Sequence, residues 1–137
     1  PNPKMMDVAV PANLKIGLKQ DDPERMNLSL HCGQGIAQMD DPSIIFVDLR
    51  DDTERTKNGV IPGSVHAPYP DLNENMNPGG ILFELARHSG KQLVFYCAYG
   101  ERSAMAVDAA LGAGMEGPCH LSGGIDAWKA ANGPLAF

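Results

Sequence analysis

Two short apolar runs constrain the fold of this chain more than any other feature. Ile44-Ile45-Phe46-Val47 and Leu93-Val94-Phe95-Tyr96 are continuous rather than alternating, and both are rich in β-branched and aromatic residues. A strand that faces solvent on one side alternates apolar and polar positions. A continuous run reads as a strand covered on both faces, as in a parallel sheet. Between and after these runs lie segments with helical spacing. Ile81 to His88 places Ile81, Leu82, Leu85 and Ala86 on one face, and Gly90 follows as a C-cap. Arg102 to Leu111 is rich in Ala and Met, and Gly112 and Gly114 stop it. Cys119-His120-Leu121 reads as a last short strand, and Ile125 to Ala131 as a final helix ended by Gly133-Pro134. Strands that alternate with helices predict an α/β domain with a mostly parallel sheet and helices on both faces.

The remaining segments are less regular. Residues 1–25 carry four prolines and little periodicity, and read as an arm ahead of a single domain over residues 26–137. No sustained apolar segment follows Lys4, so the arm does not read as a secretory signal. Ser29 is placed to cap a short helix through Met39, although Gly33 and Gly35 weaken it. Gly59 to Pro68 reads as loop and short strand, Asn73 to Gly80 as loop, and Asp51-Asp52 with Glu54 as a solvated turn.

Composition narrows the function classes. The net charge of -6 argues against nucleic acid as the main partner, because neutralising phosphates needs a basic face. No apolar run approaches the ~18 residues of a membrane span, and a cytoplasmic location is expected. The 3 cysteines are too few and too scattered for a disulfide scaffold. Cys32, Cys97 and Cys119 form no CxxC, and no histidine stands at ligand spacing, so no metal site is expected. One cysteine is then a candidate for reactivity.

In a parallel α/β sheet the ligand crevice lies outside the carboxyl ends of the strands. Two stretches fall there: Asp48 to Arg50, and Cys97-Ala98-Tyr99-Gly100-Glu101-Arg102-Ser103. The second joins a strand end to a helix start. A thiol at a helix N-terminus meets oriented N–H groups, which favour the thiolate. A short loop containing Gly100 can curl its amides around one point as an anion nest. Arg102 adds a permanent positive charge at the rim. Ser103 can cap the helix or donate to an anion. Glu101 is the odd member, since its charge partly cancels that of Arg102. It faces solvent or disfavours highly charged donors. Cys32 and Cys119 lack such a context and read as packing residues. The histidines His31, His66, His88 and His120 are scattered, and a histidine partner for Cys97 would have to arise through space. Trp128 reads as packing on the sheet.

Taken in order, Phe46 to Arg50, Gly59 to Ser64, Cys97 to Ser103 and Ser122-Gly123-Gly124-Ile125-Asp126-Ala127-Trp128 resemble the single-domain rhodanese-like sulfurtransferases. The resemblance spans about Leu28 to the C-terminus. It implies a three-layer α/β fold with a central, mostly parallel five-stranded sheet flanked by helices. It also implies a catalytic persulfide on Cys97, with Ala98, Tyr99, Gly100, Glu101, Arg102 and Ser103 around the substrate sulfur. Four residues separate Cys97 from Arg102. The phosphatase and arsenate-reductase branch of the same fold uses five, and its larger ring cradles a tetrahedral oxyanion. The shorter ring suits a single sulfur. The implied reaction takes a sulfane sulfur from thiosulfate or a persulfide to cyanide, a thiol or a sulfur-relay protein, without metal or organic cofactor. The alternatives are a non-enzymatic persulfide carrier and, with less support, a phosphatase-like enzyme. The family places an acid near the loop, here Asp48, which is expected to pair with Arg102 or to accept loop hydrogen bonds. Arg50 either attracts an anionic donor or completes an ion pair.

Overall fold

The computed structural model describes residues 29–30, 39, 41–115 and 117–137. The arm of residues 1–25 and Cys32 lie outside them. Among the described residues five strands form one sheet: β1 (Ser29–Leu30), β2 (Ile44–Asp48), β3 (Val65–His66), β4 (Gln92–Tyr96) and β5 (Cys119–Leu121). Their order is β1-β5-β4-β2-β3, and every pairing is parallel. The flanking helices are α1 (Asp52–Asn58), α2 (Leu72–Met76), α3 (Ile81–Ser89), α4 (Glu101–Gly112) and α5 (Gly124–Ala130). Among the described residues no helix is long and apolar enough to cross a membrane.

The central strands carry the pattern that the sequence required. Every residue of β4 is buried, as are the last three of β2. Ile44 pairs with Gln92 and Asp48 with Tyr96, so both strands end level and feed their following loops to the same edge. From α5, Trp128 is fully buried and meets Phe46 edge-to-face, with ring centroids 5.8 Å apart. Burying a large side chain of this kind stabilises by about 3 kcal/mol or less. The indole N–H donates to the Pro134 carbonyl at 2.8 Å, which fastens the C-terminal turn.

Three local expectations are corrected. Ser29 and Leu30 do not begin a helix but form a strand that extends the sheet beside His120 and Leu121; residues 31–38, the rest of the expected helix, lie outside the described ones. Asp51 to Glu54 is not a turn but the start of α1. Its capping box is closed by Glu54 N–H donating to Asp51 at 2.8 Å and Asp51 N–H donating to Glu54 at 3.1 Å. Within 73–80, part of the expected loop is α2, entered through a 3-10 turn at Tyr69–Asp71 and held by the burial of Leu72 and Met76.

Candidate active site

The loop from Cys97 to Ser103 leaves β4 and enters α4 around the cysteine sulfur. Gly100 takes a φ of 113°, a left-handed turn that a side chain would oppose. That turn aims its N–H at Cys97 Sγ, 3.1 Å away. Ser103 N–H points to the same sulfur from 3.4 Å, and Ser103 Oγ lies 3.6 Å from it. Two amides and a hydroxyl therefore converge on one atom. Cys97 itself is only 1% exposed.

The start of α5 fixes the other side of the loop. Ile125 N–H donates to the Cys97 carbonyl at 2.9 Å, and Asp126 N–H to the Ala98 carbonyl at 3.1 Å. Gly124 makes this approach possible. A Cβ there would sit 2.5 Å from both carbonyl oxygens. The closing Ser122-Gly123-Gly124 segment is thus a clamp on the cysteine loop.

The rim differs from a simple cationic one. Arg102 makes a two-pronged pair with Glu54 of α1, at 2.9 and 2.7 Å. The hydrogen bonds that Arg102 donates hold the Glu54 carboxyl below its ordinary range, and their acceptance by Glu54 pushes the Arg102 guanidinium up. The expected Asp48–Arg102 pair does not form. Asp48 is fully buried and takes Arg50 instead, through Nε at 2.9 Å and Nη2 at 2.8 Å. The Arg50 backbone N–H at 3.0 Å, Arg55 at 3.2 Å and the Tyr96 hydroxyl at 3.0 Å also donate to it. Arg50 has no exposed surface, and its Nη2 also donates to the Gly59 carbonyl at 2.7 Å. Burial opposes the Arg50 charge, but the hydrogen bonds and attraction of Asp48 outweigh it and keep the guanidinium charged. Burial, then the Asp48 charge, pushes the Tyr96 phenol up to about 12. Tyr96 in turn accepts from Ile61 N–H at 3.1 Å and lies 2.9 Å from Ser64 Oγ. This knot ties the Gly59–Ser64 loop to the ends of β2 and β4.

The sequence brought Cys97, Gly100 and Ser103 together, with Tyr99 and Glu101 exposed beside them. It missed two residues. Glu54 was legible as the last position of a D-x-x-E cap. His120 lies on β5, and its Nδ1 is 3.0 Å from Ser103 Oγ. A polar side chain in a strand buried on both faces needs partners, and one of them is part of the cysteine loop. Cys119 is fully buried and burial pushes its thiol well up, in keeping with a packing role.

Burial lowers the His120 pKa from 6.5 to about 4. Between those values the unfolded histidine takes up a proton that the folded one refuses. Stability is therefore complete above pH 6.5 and falls as the pH drops toward 4, by up to about 3 kcal/mol from this group. Urea midpoints at pH 7 and 4.5 should differ more for the native chain than for His120→Gln. Equal differences would show that His120 is not the group responsible.

Parallel strands, covering helices and a cysteine-centred loop at the carboxyl edge define an α/β domain with an amide nest around one thiol. The chain belongs to the rhodanese-like domain family, whose pattern it matches over residues 33–131. It is 30% identical over 90 residues to the mouse thiosulfate sulfurtransferase/rhodanese-like domain-containing protein 3, covering 62% of this chain and 57% of that one. An uncharacterized Synechocystis protein is 33% identical over 101 residues, covering 74% of this chain and 50% of that one. The chain thus spans about half the length of the curated relatives it matches. Among solved structures, a Rhodopseudomonas palustris protein of unknown function, described as a possible tyrosine phosphatase, superposes with a TM-score of 0.72 at 33% identity. It covers 79% of this chain and 83% of that one. The thiosulfate sulfurtransferase of Pseudomonas aeruginosa superposes with 0.65 at 25% identity, over 79% of this chain and 20% of that one.

Proposed function

We propose that this protein is a sulfurtransferase that carries a sulfane sulfur on Cys97. The observation that carries the reading is the convergence of Gly100 N–H and Ser103 N–H on Cys97 Sγ at the mouth of α4. Such donors stabilise a sulfur anion, whether thiolate or persulfide. In the first half-reaction the Cys97 thiolate attacks the outer sulfur of the donor. With thiosulfate the S–S bond breaks, sulfite leaves with the electron pair, and Cys97 becomes a persulfide. In the second, cyanide or a thiolate attacks the outer sulfur and the Cys97 thiolate is regenerated. Asp48 and Arg50 act by holding the strand ends and the Gly59–Ser64 loop in place.

Two observations weigh against phosphatase chemistry. The ring between Cys97 and Arg102 has four residues, and Arg102 is held in a two-pronged pair with Glu54 that offsets its charge. Turnover of an aryl phosphate would reverse that judgement. Incubation with thiosulfate or a small persulfide should add one sulfur to the intact mass, and cyanide should remove it as thiocyanate. Loading without catalytic turnover would make the chain a carrier. No loading from either donor would end the sulfurtransferase reading.

The same rim favours a weakly charged persulfide over the thiosulfate dianion. Glu54 cancels Arg102, and Asp51, Asp52, Glu101 and Asp126 are exposed just past the strand ends. Glu54→Gln keeps a residue able to close the α1 capping box while removing one charge. It should lower the thiosulfate KM by about threefold or more at low salt, an effect that fades at high salt. An unchanged KM would remove rim charge as the cause of donor preference.

A further inference from the structure

Ser103 Oγ has three neighbours and one proton. It lies 3.1 Å from the Gly100 carbonyl, 3.0 Å from His120 Nδ1 and 3.6 Å from Cys97 Sγ. A hydroxyl donates once and accepts twice. If it donates to Gly100, its oxygen can accept from the Cys97 S–H and from an N–H at Nδ1. All three contacts are then satisfied. If Nδ1 carried no proton, it would draw the hydroxyl proton to itself. The Gly100 carbonyl would lose that donor, and a thiolate at Cys97 would face an oxygen lone pair.

We propose that His120 is a positioning residue for Cys97: its Nδ1–H holds the Ser103 oxygen, leaving the hydroxyl proton free to swing between the Gly100 carbonyl and the Cys97 sulfur. While Cys97 is a thiol, the proton rests on the Gly100 side. When the thiol proton leaves to solvent, the hydroxyl turns and donates to the thiolate, joining the Gly100 and Ser103 amides. No proton is lost from the imidazole in either position. His120 is 1% exposed, and burial lowers its pKa to about 4, so the ring is neutral at pH 7 and carries one N–H. The same burial makes an imidazolium costly, so the ring orients Ser103 and does not take the Cys97 proton. At the start of α4, Arg102 is paired with Glu54 and Glu101 is exposed. The role rests on reading Cys97 as the sulfur nucleophile, but its tests need no sulfur donor.

Long-range nitrogen–proton NMR of the native chain at pH 7 should show His120 protonated at Nδ1. Protonation at Nε2 instead would overturn the proposal without any variant. Cys97 alkylation by iodoacetamide at pH 7 gives the second test. His120→Leu and Ser103→Ala should each slow it by about tenfold, the size of a hydrogen bond to a charged group. His120→Asn, which retains an amide donor, should stay within about threefold of native. The double variant Ser103→Ala/His120→Leu should be no slower than Ser103→Ala, because His120 acts through that hydroxyl. A native rate in folded His120→Leu, or losses that multiply in the double variant, would overturn the role. Should the leucine variant not fold, the tautomer in the native chain decides alone. A chain that loads no sulfur but shows the expected tautomer and rates would fail as a sulfurtransferase and keep this couple.

Discussion

Cys97→Ser should take up no sulfur from thiosulfate or a persulfide, and transfer to cyanide should fall by at least about a thousandfold. Serine is close in shape to cysteine, and its hydroxyl can still accept from the Gly100 and Ser103 amides that now meet the sulfur. The loop should therefore survive, with stability within about 1.5 kcal/mol of native. What is lost is the nucleophile. A thiol ionises near neutral pH, a hydroxyl does not, and no oxygen forms a persulfide. Intact mass after donor treatment and a thiosulfate:cyanide assay read the two effects separately. Sulfur retained on the serine variant would move the reactive site to another of the 3 cysteines in the sequence.

Much of this site was legible in the sequence because its parts are local. Cys97, Gly100 and Ser103 lie within one turn of chain, and the helix onset after a buried strand places them together. The clamp was legible only as a motif. That Gly124 lets two α5 amides reach the Cys97 and Ala98 carbonyls is a matter of packing. Arg102 was read from its own charge, whereas its behaviour depends on Glu54, 48 positions away in sequence. Spacing carries no record of such a pairing. His120 was set aside because it does not neighbour Cys97 in the chain. The register of β5 beside β4, with Phe95 opposite His120, is what delivers it to Ser103. The strands themselves were legible because burial on both faces leaves a composition that few other structures tolerate. The edge pair Ser29–Leu30 was not, since two residues have no pattern and only the neighbouring strand defines them.

Arg50→Met should cost about 3–5 kcal/mol, the range for removing one partner of a buried ion pair. Arg50 and Asp48 are both fully buried, 2.8 Å apart, so the methionine would leave a carboxylate out of water without its main partner. Arg55 and the Tyr96 hydroxyl still reach Asp48, at 3.2 and 3.0 Å, which places the expected loss toward the lower end. Adding Asp48→Leu removes the stranded charge, so the double variant should recover much of the stability. Urea denaturation measures both, with an unchanged m-value showing that the native fold persists. A single-variant loss under about 1 kcal/mol, or no recovery in the double, would mean the pair is not the fastening described here. Sulfur transfer in the double variant then answers a separate question. Arg50 also donates to the Gly59 carbonyl, and through Tyr96 the knot reaches Ile61 and Ser64. If the pair matters to chemistry only by holding this loop beside the cysteine, the double variant should be stable yet slower, with its loss in kcat rather than in KM for the donor.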